Sequence, residues 1–323
     1  MEQQQYTAPP PAPKKKTGWI WIILIIFLIC SFMFAGIAFI SFTKSLFTGF
    51  DSKYEYEVQG KGNEKIAVID LDYTIYFSET LTRQFKKFRE DKSIKAIVLR
   101  VNSPGGGTAA SHEMYEEIKK TRDSGKPVIV SVSSVAASGA YYASCGANLI
   151  VANPSSLVGS IGVIIQYVSM KELADKLGIK DVTVKSGDLK DTGNPLRDIN
   201  NNDVVYLQDV VDDSYELFLE IVSKERKINI DSLREIASGR VFTGRQGLKL
   251  RLVDTLGTFD DAVNIAAKYA NIEGEPKLVK EKSRKYFIDI LLDGISKSGL
   301  GKISDMVNEE FLNRPLIQYK FEP

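Results

Sequence analysis

The chain has 323 residues, 44% hydrophobic and 26% charged, enough for one large domain or two modest ones with a real core and too apolar for a disordered protein. Lysine plus arginine (42) nearly balance aspartate plus glutamate (41), so no global field points to nucleic acid or to an acidic substrate. With two cysteines there is no disulfide framework, and a single histidine, His112, limits any Ser-His-Asp triad to one base.

The first 18 residues are rich in Gln and Pro and carry Lys14, Lys15 and Lys16, after which residues 19–42 contain no charge. Such a run, about two dozen residues at 1.5 Å each, predicts one transmembrane helix across a core of roughly 30 Å. Trp19 and Trp21 stand at its interface, and the three lysines before it put the N-terminus in the cytoplasm and everything after Lys44 outside. The run is longer than a signal-peptide core and has no small-x-small cleavage site, which favours an uncleaved anchor in the cell membrane. The expected organisation is a cytoplasmic tail (1–18), an anchor (19–42), a linker (43–63), a folded domain (64–272) and a lysine-rich C-terminal tail (273–323). Cys30 falls in the anchor and Cys145 in the domain, so they cannot pair, and Cys145 reads as a small buried hydrophobe.

Strands are predicted at 66–71, 96–101, 128–132, 149–152, 160–165 and 181–185, and helices at 81–91, 108–124, 138–145, 169–177, 202–227, 231–238 and 259–270. Gly125 and Pro127 end the helix at 108–124, and Gly178 ends the one at 169–177. Strands alternate with helices and lack polar alternation, which predicts an α/β domain with a largely parallel sheet covered on both faces. The tail from Glu275 has an amphipathic segment at 286–306 and no obvious partner strand.

Two features follow apolar strands. The turn Asn102-Ser103-Pro104-Gly105-Gly106-Gly107 reads as a phosphate cradle, a bare structural turn or an oxyanion hole. It lacks the Gly-Lys-Ser/Thr of a P-loop and the third glycine of a dinucleotide fingerprint, whereas residues without Cβ let a substrate backbone approach free amides. About thirty residues later, Ser138 lies in Val135-Ala136-Ala137-Ser138-Gly139-Ala140-Tyr141-Tyr142, where small neighbours leave a serine open as nucleophile or as helix N-cap. For a base, His112 sits on a helix crowded with Glu113, Glu116, Glu117, Lys119 and Lys120 and reads as part of a solvated face. Lys190 stands in a loop among small residues; to act, its amine must lose its proton through burial, with the flanking Asp188 and Asp191 turned away.

These two segments, with Leu157-Val158-Gly159-Ser160-Ile161-Gly162-Val163, Lys185-Ser186-Gly187, Lys190-Asp191 and Gly239-Arg240-Val241-Phe242-Thr243-Gly244-Arg245-Gln246, resemble the signal peptide peptidase A family in its short, single-repeat bacterial form. The resemblance spans about 65–270, and the anchor fits it. It implies a Clp protease/crotonase-like spiral of β-β-α units and a Ser-Lys dyad, with Ser138 as nucleophile and Lys190 as general base. It further implies that Ser160 orients the lysine and that the amides of Gly106 and Ser138 form the oxyanion hole. Ala140 stands where the family usually has a second glycine. The substrates implied are remnant signal peptides and other short hydrophobic or unfolded peptides, with no cofactor, no metal and no nucleic acid. A homo-oligomeric ring with sites shared between protomers is implied too, and a tail near the substrate groove that the enzyme itself trims. The competing readings are a crotonase-like acyl-CoA enzyme, which has no use for the anchor or for Lys190, and a catalytically inactive membrane-anchored scaffold.

Overall fold

The structure, a computed structural model of the chain, describes residues 25–29, 31, 33, 36, 54–283 and 317–321. The chain divides into two units, Met1–Tyr54 and Glu55–Pro323. In the first, residues 25–29, 31, 33 and 36 are helical, with Ile25, Ile26, Phe27, Leu28 and Ile29 exposed. Most of the predicted anchor lies outside the described residues, and among the described residues no helix is long and apolar enough to cross a membrane.

The second unit opens with β1 (Tyr54–Gln59) and β2 (Lys65–Leu71), followed by α1 (Glu79–Glu90), β3 (Ile94–Ser103) and the short β4 (Gly105–Gly107). Then come α2 (Thr108–Asp123), β5 (Val128–Ala137), α3 (Gly139–Ser144), β6 (Leu149–Ala152), β7 (Leu157–Gly159), β8 (Ile164–Ile165) and α4 (Lys171–Lys176). The remainder is a 3-10 turn (Asp188–Asp191), α5 (Asn201–Arg226), α6 (Ile230–Ile236), β9 (Val241–Thr243), α7 (Gly244–Lys249), β10 (Thr255–Leu256), α8 (Phe259–Tyr269), β11 (Lys277–Ser283) and β12 (Ile317–Lys320).

The main sheet runs β1-β11-β2-β3-β5-β6-β10, with β7 pairing β5 and β9. The pairs from β11 through β10 are parallel, as is β5 with β7, and β9 runs antiparallel to β7. This is the expected mixed α/β architecture with a largely parallel sheet. Side chains of β3 alternate between two cores. Ile97, Leu99 and Val101 face one side with Phe85, Phe88 and Ile118, and Ala96 and Val98 face the other with Ala262 and Ala266. Helix α1 buries Leu81, Phe85 and Phe88, a spacing that keeps one face on the sheet. Helices α5 and α8 each begin with a reciprocal capping box, Asn200 with Asp203 and Thr258 with Asp261.

Three expectations are corrected. Residues 181–185 form no strand: Val182 and Val184 are 84% and 96% exposed, and among the described residues no neighbour supplies the ladder a strand requires. The predicted strand at 160–165 shrinks to Ile164–Ile165 because the chain turns at Ser160, whose φ is 53°. The sheets also reach past the expected domain limits: β1 from the predicted linker and β11 from the predicted tail join the main sheet, and β12, also from the tail, joins a second sheet of order β4-β12-β8. The amphipathic segment at 286–306 lies outside the described residues.

A buried carboxylate fixes β11. The side chain of Glu281 is 1% exposed and is paired with Arg83 and, at 3.1 Å, with Lys87 of α1. Burial opposes its ionisation, yet the two cations hold its carboxyl below the usual range. A lowered folded-state pKa contributes stability above the unfolded-state pKa, and that contribution is lost as pH falls through the folded-state value. Glu281→Gln should therefore cost about 1–3 kcal/mol near neutrality. In denaturant titrations the gap from wild type should close as pH drops below about 4.

Candidate active site

Parallel strands β3 and β5 end side by side, with Ser103 opposite Ala136. This register brings together the glycine turn that follows β3 and Ser138, which follows β5, although about thirty residues separate them. Ligand sites form at such carboxyl ends in open α/β sheets.

Ser138 occupies the N-cap position of α3 with φ 53° and ψ −120°, and its side chain makes no capping hydrogen bond. The residue is 0% exposed and its Oγ has no hydrogen-bond partner among the described residues. A non-glycine residue held at such a backbone costs about 1–3 kcal/mol. A buried, unpaired hydroxyl costs about 1–3 kcal/mol more. The surroundings impose both: the Ser138 amide donates to the Gly159 carbonyl at 2.7 Å, and the Tyr142 amide donates to the Ser138 carbonyl at 2.8 Å. A cap would relieve the hydroxyl, and the Ser138 side chain makes none, so the geometry does not support the N-cap alternative.

The glycine turn is pinned by Ile75, whose amide donates to the Gly105 carbonyl (2.8 Å) and whose carbonyl accepts from the Gly107 amide (2.7 Å). Gly105 has φ +96°, and a Cβ there would stand 2.6 Å from the Gly139 nitrogen and would also strike the Tyr319 carbonyl oxygen. A Cβ on Gly106 would collide with the Ile75 carbonyl. Glycine is therefore required for the backbone to approach this closely.

What approaches is the chain's own β12. It lies antiparallel between β4 and β8, with Tyr319 opposite Gly106, Lys320 opposite Gly105 and Gln318 opposite Ile164. The Phe321 amide donates to the Pro104 carbonyl at 2.8 Å. Since hydrogen-bonded pairs alternate along an antiparallel ladder, Tyr319 and Gly106 form the next such pair, and the Gly106 N–H points at the Tyr319 carbonyl oxygen. That oxygen and the Gly106 nitrogen lie 3.1 and 3.2 Å from the point where a Gly139 Cβ would be. Its ring stacks on Tyr142 (centroids 5.2 Å) and meets Phe218 (4.6 Å), and its hydroxyl donates to the Ser214 carbonyl at 2.8 Å.

Of the expected oxyanion pair, the Ser138 amide is already bound to the Gly159 carbonyl, and Gly106 lies opposite Tyr319 of β12. Gly139, the next residue after the serine, begins α3, and the first amides of a helix have no intrahelical acceptor.

His112 is half-buried, with Nδ1 2.8 Å from the Tyr142 hydroxyl, so it packs beside the aromatic cluster and does not lie on a solvated face. Cys145 is buried and its thiol is pushed up to about 12 by burial, which removes it as a nucleophile. Ser160 is 5% exposed, directly follows the carbonyl that holds the Ser138 amide, and donates its hydroxyl to the Gly239 carbonyl at 3.1 Å. Lys190 is not brought to this cluster within one chain. It is exposed in the turn Asp188–Asp191, and the described residues show no hydrogen bond from it to Ser138 or Ser160.

The turn carrying Lys190 is nonetheless braced. Asp191 pairs with Lys185 (2.8 Å) and Arg197 (3.0 Å), so its carboxylate is engaged by these two cations. Arg197 also pairs with Asp203 (2.6 Å), which accepts from the Thr192 hydroxyl (2.7 Å). Arg197, then the Asn200 amide and Thr192, hold the Asp203 carboxyl well below the usual carboxylate range. Asp203→Asn should raise amide hydrogen exchange across residues 186–192 by about tenfold. Unchanged exchange would show that this brace does not order the turn.

The site matches known proteins. Peptidase family S49 matches residues 120–273, a span that holds Ser138, Ser160 and Lys190. A putative signal peptide peptidase SppA of Enterococcus faecium is 33% identical over 256 residues, 75% of this chain and 72% of that protein. A putative protease of Methanocaldococcus jannaschii is 36% identical over 234 residues, 68% of this chain and 75% of that protein. Protease 4 of Haemophilus influenzae is 34% identical over 240 residues, 70% of this chain but 38% of that longer protein. Identity at this level, over most of two of these relatives and across the stretch that carries the unpaired serine, means that the chain belongs to peptidase family S49 and is a serine peptidase.

Proposed function

We propose that this peptidase is a membrane-anchored endopeptidase that binds peptides as added strands and cuts them with a Ser138-Lys190 dyad on the extracytoplasmic side. Its substrates on this reading are remnant signal peptides and other short hydrophobic or unfolded chains. The observation that carries the reading is β12, an extended segment laid across Gly105–Gly107 with Tyr319 opposite Gly106 and its carbonyl oxygen close to Gly139, next to a serine whose hydroxyl is buried and unpaired among the described residues. The relatives called signal peptide peptidase and Protease 4 support the substrate class, and the charge-free run at 19–42 supports the anchor. The family reading also supports a Clp protease/crotonase-like spiral for the sheet.

In the reaction, the Lys190 amine takes the proton from Ser138 as Oγ bonds to the scissile carbonyl carbon, and the oxyanion is held by the amides of Gly106 and Gly139. The lysine then protonates the leaving nitrogen, the C–N bond breaks, and water clears the ester with the same base. Because Lys190 is exposed and apart from Ser138 within one chain, the amine comes from a neighbouring copy. Two features support assembly: apolar side chains exposed along the segment that precedes it, including Val168, Leu173, Leu177, Ile179, Val182 and Val184, and an open surface beside Ser160.

Ser138→Ala and Lys190→Ala chains should each be inactive and regain activity when co-assembled. With random 1:1 mixing in a closed ring, about a quarter of the sites hold both groups, so activity should approach about a quarter of wild type. Persistent inactivity of mixed oligomers would refute the shared site. Intact mass should also show loss of the residues after Tyr319 in wild type and their retention in Ser138→Ala; equal full-length masses would show that the tail occupies the groove without being cut.

A further inference from the structure

We infer that a cavity at the amino ends of β5, β6 and β10 binds a phosphate monoester, gripped by Lys227 and Arg251. The cavity, of about 520 Å³, is walled by Arg122, Arg226, Lys227 and Arg251 with the carboxylates of Glu225 and Asp254. The strands start at its edge: the Val128 amide of β5 donates to the Asn148 side chain at 2.8 Å, and the Ile150 amide of β6 donates to Asp254 at 2.7 Å. Ser138 follows the opposite end of β5, so this cavity is separate from the active site.

Charge in the cavity is unbalanced. Arg122 pairs with Glu225 (2.7 Å) and Asp123 (3.0 Å), and Arg226, its side chain 9% exposed, pairs with Asp254 at 2.8 Å. Among the described residues the side chains of Lys227 and Arg251 have no such partner. The lining thus holds four cations against two carboxylates. An excess of two matches a phosphate monoester, which carries a charge of about −1.5 to −2 near neutral pH. A guanidinium fork and an ammonium are the groups that phosphate oxygens take. Ala147, Leu248 and Val253 complete the wall and leave apolar surface for the carbon part of an ester.

The backbone singles out the same two residues. Five described residues other than glycine have a positive φ: Ser138, Ser160, Lys227, Arg251 and Asn271. The first two belong to the active site, and asparagine is a type that tolerates this region. Lys227 (53°) directly follows α5 and Arg251 (60°) lies just past α7, positions where glycine is the usual residue. Complementing the helix ends does not require them, because Lys224 and Arg226 in the last turn of α5 and Lys249 in that of α7 already supply positive charge. Strain held at two unpaired cations facing one cavity is instead the mark of a ligand site.

The test is thermal unfolding of the full-length protein in detergent at constant ionic strength, with chloride replaced by glycerol 3-phosphate. At about ten times its Kd the ester should raise Tm by about 3 °C. A second arm dopes the micelles with phosphatidic acid; a shift there alone assigns the phosphate to a lipid, and a shift with the soluble ester assigns it to a small molecule. Lys227→Gly/Arg251→Gly should lose the shift yet melt no lower than wild type without ester, since glycine relieves both positive φ angles. Lys227→Gln/Arg251→Gln, which keeps two long side chains, should lose the shift as well, and fluorophosphonate labelling of Ser138 in both variants should match wild type. No shift with either ester, or the same shift in both double variants, would overturn the site and leave the proposed function standing.

Discussion

The site depends on one strained turn. Ser138 has a positive φ, no exposure and an unpaired hydroxyl, together costing a few kcal/mol in a fold whose net stability is of order 5–15 kcal/mol. Strand register holds it there. β5 pairs β3 on one side and β7 on the other, and the carbonyl of Gly159, the last residue of β7, receives the Ser138 amide. That amide is thereby engaged, and the next residue, Gly139, begins helix α3.

The same register explains why glycine occupies the facing turn. Gly105 and Gly106 stand where any Cβ would strike Ile75, the Gly139 backbone or the carbonyl of an incoming strand. β12 meets this turn first through its backbone ladder and second through its side chains. Tyr319 shows the side-chain component: its ring lies against Tyr142 and Phe218, and its hydroxyl finds a carbonyl. His112, the sole histidine, supports this aromatic wall through Tyr142 and does not act as a base.

Much of this was legible in the chain. The alternation of apolar strands and amphipathic helices gave the parallel sheet, because strands buried on both faces and helices with one apolar stripe leave distinct patterns. Ser138, Ser160, Gly106 and Lys190 were singled out from small-residue turns and a resemblance to one family; the structure brings the first three to one end of the sheet and leaves Lys190 exposed. What escaped depends on long-range partners. The apolar alternation at 181–185 looks like a strand, but a strand exists only where a second one pairs with it. Conversely, Ile317–Lys320 is too short to stand out, and becomes a strand because β4 and β8 present open edges. The Ser138 amide was misassigned for the same reason: its acceptor, Gly159, lies 21 residues away along the chain.

The most direct measurement is reaction of the protein with a fluorophosphonate, followed by mapping of the modified residue. The account predicts one adduct, on Ser138, absent from Ser138→Ala and formed faster after deletion of residues 317–323, because the tail strand then no longer covers the hydroxyl. An adduct on a different serine, or none on Ser138 once the tail is removed, would contradict it.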